Sequence, residues 1–129
     1  MFTDSETNDE ANTALTATAL STLGGKTTGT VTVSNAIAIS GTQAEVTAAL
    51  VTDSTKVIAS TAVVTVTDAA SVAQLTAIDG ATSGLVTYGT VADTAENLDA
   101  DATYVIDNHA VTVTDAAATA IAATTLSAI

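Results

Sequence analysis

The chain has no cysteine, no tryptophan and only two cationic side chains, Lys26 and Lys56, in 129 residues. Without cysteine there is no disulfide, no thiolate chemistry and no cysteine-based metal site. Set against 14 Asp and Glu, the two lysines leave a formal net charge of −12. No basic stripe exists to neutralise phosphates, which argues against nucleic acid as a partner, and the same deficit argues against an anionic membrane surface. Aromatics are limited to Phe2, Tyr88 and Tyr104. No apolar run approaches the roughly 20 residues that cross a bilayer, so membrane insertion is not expected. The opening MFTDSETNDE is acidic and polar, the reverse of a signal peptide. Work outside a cell would then imply a fragment, an export signal elsewhere, or release by lysis within a virion.

Hydrophobic residues make up 47% of the chain, too many for a disordered acidic tail. They are mainly Ala and Val, with some Leu and Ile. A compact globule needs larger side chains to fill its centre, whereas a thin layer between one sheet and one row of helices does not. The acidic surface repels its own copies at low salt, and high ionic strength or divalent cations relieve that repulsion. This points towards a saline or extracellular setting.

Internal repetition gives the organisation. Val64–Asp68 reads VTVTD and Val111–Asp115 reads VTVTD again, 47 residues later (111 − 64). LVTYG at Leu85–Gly89 begins a strand between them, so the interval holds two coils, each in the range of strand-plus-helix solenoids. The stretch Val64–Gly84 reads as strand, corner at Asp68, helix and Gly-closed turn. Val72, Leu75 and Ile78 form its helical stripe, and Ser71 with Gln74 has the capping-box pattern. Thr42 with Glu45 repeats that pattern before a helix over 43–50 carrying Val46 and Leu50, and Asp93 with Glu96 repeats it before a short helix with Leu98. A first helix is expected over about Asp9–Leu23, stopped by Gly24 and Gly25. Phe2-Thr3-Asp4 matches Val66-Thr67-Asp68, and the segment before each VTVTD strand, around Val57 and Val105, reads as extended. A last helix is expected over Ala116–Leu126, with Ile121 and Leu126 inward.

The fold class that follows is α/β: a single domain over 1–129 forming a short β/α solenoid, with LRR-like layering of a parallel sheet on one side and short helices on the other. Its coils would cover about 1–29, 30–61, 62–84, 85–110 and 111–129. A coil cannot bury its own core, so each lends a strand to a shared sheet. The expected inward rows are Val31, Val64, Val86, Val111 and Val33, Val66, Tyr88, Val113. The expected outward rows are Thr32, Thr65, Thr87, Thr112 and Ser34, Thr67, Gly89, Thr114. Helical returns make the strands parallel, and crossovers of that kind are right-handed. Neither end shows a polar cap, so open sheet edges are expected to dock on other copies or other structural subunits, making a homo-oligomer or higher assembly.

Candidate chemistry is sparse. His109 stands alone before a strand, with no Ser elbow or second His, and reads as a surface turn residue. Asp99 and Asp101, with Asp93, Glu96 and Asp107 nearby, are the densest carboxylates. Hard oxygen ligands of that kind suit Ca²⁺, although solvated turns and helix caps explain them as well. Asp4, Asp68 and Asp115 recur at coil corners, where capping accounts for them. The Thr-x-Thr pairs at Thr30/Thr32, Thr65/Thr67 and Thr112/Thr114 resemble the faces of ice-binding solenoids, but Tyr88 and Gly89 interrupt the array and ordinary β propensity accounts for the threonines. The outward Thr32, Thr65, Thr87 and Thr112 are the expected interface.

The phrases VTVTDAASVAQLTAIDGATSG, LVTYGTVADTAENL and ISGTQAEVTAAL resemble repeats in large surface proteins of cyanobacteria and in structural proteins of the phages that infect them. The resemblance covers most of residues 30–115. It implies a structural or adhesive role with no family active site, no cofactor and a place on the virion or the extracellular surface. The short length suits a capsid decoration or fibre subunit, or a cut fragment. The competing class is an adhesin-type repeat module of a bacterial surface protein, dependent on Ca²⁺; ice binding is the remote one. No nucleophile–base pair can be named, so an enzyme is not expected.

Overall fold

A computed structural model of the chain describes residues 15–106 and 108–129. It is a mixed α/β structure with parallel sheets and short helices. Strands β1 (Leu15–Thr16), β2 (Ala38–Gly41), β3 (Val63–Val66) and β4 (Val86–Thr87) form one parallel sheet in chain order, and β5 (Thr90–Asp93) pairs in parallel with β6 (Ala110–Val113). Helices α1 (Ala17–Gly24), α2 (Gln43–Leu50), α3 (Val72–Asp79), α4 (Ala95–Ala100) and α5 (Ala123–Ala128) alternate with the strands.

One face of the sheet packs on the helices. Ile39, Val64 and Val66 join Leu20, Val46, Ala49, Leu50, Leu75, Ile78 and Leu98 in one buried cluster. The helical stripes match the sequence: Val46 and Leu50 on α2, Leu75 and Ile78 on α3 and Leu98 on α4 are buried, with Val72 half-buried. Both capping boxes at Thr42/Glu45 and Ser71/Gln74 are formed in full.

Register departs from the expected rows. The apolar row is Leu15, Ile39, Val64, Val86, so Ile39 and not Val31 neighbours Val64. The segment holding Val31 and Val33 pairs elsewhere, through a single parallel bridge of Thr32 to Ile58. The strand before α2 is therefore at Ala38–Gly41, where Ile39 drops into the core at 1% exposure, and Gly41 closes the strand instead of breaking it. Val111 lies opposite Val91, not Val86. Val86 follows Val64 by 22 residues, whereas Val91 follows its bridge partner Ala70 by 21, and the pairing divides into two sheets between β4 and β5. The split falls at Tyr88, whose buried ring meets Tyr104 edge-on at 5.8 Å and whose hydroxyl donates to the Tyr104 carbonyl.

Three helix expectations also change. Leu15–Thr16 is a strand, not helix, because Leu15 pairs with Ile39 and Thr16 is the N-cap that accepts from the Ala19 amide; residues 9–14 of the expected helix, and the Phe2-Thr3-Asp4 match, lie outside the described residues. The cap of α4 is Thr94, which accepts from the Asn97 amide, in place of Asp93. Finally, α5 begins at Ala123, after Ala118 takes a left-handed φ of 70° that a helix cannot include. Leu126 is consequently 53% exposed instead of inward, while Ile129 packs partly on the core.

Candidate interaction face and aspartate staples

Two features connect successive strand–helix units. The first is a row of outward hydroxyls. Side chains alternate across a strand, so the residues beside the buried Ile39 and Val64 face solvent. Thr16, Ser40, Thr65 and Thr87 are opposite one another in the four-stranded sheet, and Thr16, Thr65 and Thr87 are exposed. The expected row of Thr32, Thr65, Thr87 and Thr112 is thus correct only in its middle pair. Thr32 is opposite Ile58, and Thr112 is opposite Ala92 in the second sheet; both are exposed. The same four-stranded face carries Val63 at 42% and Leu85 at 70% exposure. Sequence reasoning missed Thr16 and Ser40 because it placed their strands elsewhere.

The second feature is electrostatic. Helix N-termini leave amides without intrahelical partners and favour negative charge. The first-turn amides of Gln43, Val72 and Ala95 each accept no help from their own cap. They donate to carboxylates of the following unit: Asp68 at 2.6 Å, Asp93 at 3.1 Å and Asp115 at 2.7 Å. The sequence separations are 25, 21 and 20 residues. The corner aspartates do cap helices, as Asp68 and Asp115 suggested, but the helix of the unit before their own. The legible signal was the recurrence of Asp at the end of the VTVTD segments, at Asp68 and Asp115.

Asp93 is the most heavily used. Its carboxylate also accepts from the Thr94 amide and the Asn97 side chain, both at 2.8 Å. Partial burial pushes its pKa up, yet the bonds from Asn97, Thr94 and Val72 together outweigh this and hold it below the ordinary Asp value. A depressed folded pKa contributes stability above the unfolded value of about 3.9, and that stability is lost as pH falls through the folded pKa. Asp93→Ala should therefore destabilise the fold by about 2 kcal/mol at pH 6. The gap between wild type and variant should close as urea titrations are taken down towards pH 3. A gap that stays constant over that range would remove the ionised carboxylate from the account.

Of the expected metal ligands, Asp101 accepts from the Tyr104 and Val105 amides at 2.6 and 2.8 Å, closing a turn, and Asp99 is exposed on α4. No group of three or more metal-ligating side chains is brought together among the described residues. His109 is half-buried, not a surface residue: its ring stacks on Tyr88 at 4.3 Å, and its Nδ1 is buried without a hydrogen-bond partner. Both lysines line one open cleft of about 420 Å³ with the 24–29 loop, where Lys56 pairs with Asp53. No helix among the described residues is long and apolar enough to cross a membrane. Comparison with protein-family models, with characterised proteins and with solved structures finds no match to this chain.

Proposed function

We propose that the chain is a non-enzymatic structural module: a short right-handed β/α solenoid that works by presenting a stiff uncharged sheet face and by assembling with copies of itself or other structural subunits. The observation that carries this reading is the repeated staple. Three successive units are fastened to their predecessors by the same contact, an Asp carboxylate on a first-turn helix amide. Stacking of that kind extends by addition of like units. Four carboxylates are spent on backbone amides: Asp68, Asp93, Asp101 and Asp115.

In the setting suggested by the sequence resemblance, the module is a virion component, such as a capsid decoration or a fibre subunit. The second reading is an adhesin-type repeat of a bacterial surface protein, held by Ca²⁺. Sedimentation velocity across protein and salt concentration tests the assembly reading. Species larger than the monomer should grow in as ionic strength rises and the repulsion of a −12 chain is screened. A strict monomer at high concentration and high salt would contradict it. A melting temperature raised by millimolar Ca²⁺ and restored by chelator would move the assignment to the adhesin.

A further inference from the structure

We propose that the free edge of β6 takes β1 of a second copy of this chain, head to tail, so that Val111 and Thr112 lie beside Leu15 and Thr16 of the next copy. The inference rests on the coil-stacking reading and names its partner and register.

An internal comparison carries it. The pentapeptide VTVTD occurs twice, and its Asp staples the preceding helix both times. In β3 the segment has parallel neighbours on both edges, and Val64 and Val66 are 0% and 3% exposed. In β6 it has β5 alone among the described residues, Val111 is only half-buried and Val113 is 38% exposed. Behind it, α5 buries no residue. The sequence and the staple are the same; what differs among the described residues is the second strand neighbour, present at β3 alone, and the helix layer, which buries Leu75 and Ile78 on α3 but nothing on α5.

β3 also shows what that neighbour is. On the edge away from β2 it takes a two-residue apolar–Thr strand, with Val64 opposite Val86 and Thr65 opposite Thr87. Leu15–Thr16 is a strand of the same form with one neighbour, β2, among the described residues. It is followed at once by α1, which would fall beside α5. The helices that would come together carry little charge: residues 116–129 have no charged side chain, and residues 15–44 have only Lys26. The two faces are different patches, so the contact is heterologous and builds open chains of copies instead of closed dimers.

Because the chain has no cysteine, engineered thiols report the contact cleanly. One preparation carries Thr112→Cys and another Thr16→Cys; both are checked for unchanged circular dichroism and then oxidised as a mixture at high salt. Neighbouring parallel strands are about 4.8 Å apart, inside the Cα window of a disulfide. The expected product is the mixed disulfide, with neither variant joining itself or a Thr65→Cys control on an interior strand. In the cysteine-free chain, Val113→Asp should reduce the fraction of associated species in sedimentation at least tenfold. Thr112→Cys joining itself would mean a twofold β6–β6 contact and overturn the inference. Association that persists without the mixed disulfide, or that ignores Val113→Asp, would overturn it as well while leaving assembly intact. A strict monomer would remove both.

Discussion

Leu75→Ala is expected to lower the unfolding free energy by about 2–5 kcal/mol, the range for a buried leucine cut back to alanine. Leu75 is 0% exposed on α3, in a core otherwise built mostly of Val, Ala and Ile. Small neighbours on rigid strands have little side chain to swing into the space, so the cavity would persist and the loss should lie towards the upper part of that range. Urea titration should show a lower midpoint at unchanged slope. Leu126→Ala, on the exposed α5, should move the midpoint by no more than about 0.5 kcal/mol. Equal effects of the two variants would mean that the helices do not pack on the sheet as described.

Gly84→Ala is the second large effect, and its cause is contact, not backbone conformation. No glycine in the described residues has a positive φ. A Cβ at Gly84 would instead overlap the Ala62 carbonyl of the preceding unit. The neighbouring Ser83 amide donates to the Ser60 carbonyl, and the Thr82 hydroxyl donates to the same Ala62 oxygen. Making room would mean pulling the two units apart and stretching these bonds. A cost of about 1–3 kcal/mol or more is expected, as for overpacking of a closed core. Gly24 meets the Thr55 carbonyl in the same way, and Gly24→Ala should behave alike. Gly89→Ala is the control: a Cβ there meets nothing within 4 Å, so the substitution should be neutral or stabilising by up to about 1 kcal/mol through the unfolded chain. Thermal melts of the three variants separate these outcomes.

Local features were legible in the sequence wherever chemistry is local. The two capping boxes, the Val46/Leu50 and Leu75/Ile78 stripes and the inward Tyr88 depend only on spacing along the chain, and all are present. Register was less legible, because it depends on competition between segments of similar appearance. Val31/Val33 and Ile37/Ile39 alternate equally well; the second pair wins because Thr42 caps α2 immediately after it, and that fixes which segment is drawn into the sheet. Periodicity also does not show which of two neighbouring apolar segments a strand pairs with: Val86 lies opposite Val64, but Val111 lies opposite Val91. The candidate face inherited that error at Thr32 and Thr112. Asp68 and Asp115 were singled out as caps, whereas Asp93 was read as the cap of its own helix; no pattern within one unit reveals that a carboxylate serves the helix of the unit before.

The central claim is that β2, β3 and β4 pair in parallel with Ile39, Val64 and Val86 side by side. Methyl-labelled NMR tests it most directly, by the contacts of the Val64 methyls. The account predicts cross-peaks from Val64 to Ile39 on one side and to Val86 on the other, with none to Val111. A strong Val64–Val111 contact, or backbone contacts characteristic of antiparallel pairing between 63–66 and 86–87, would contradict it.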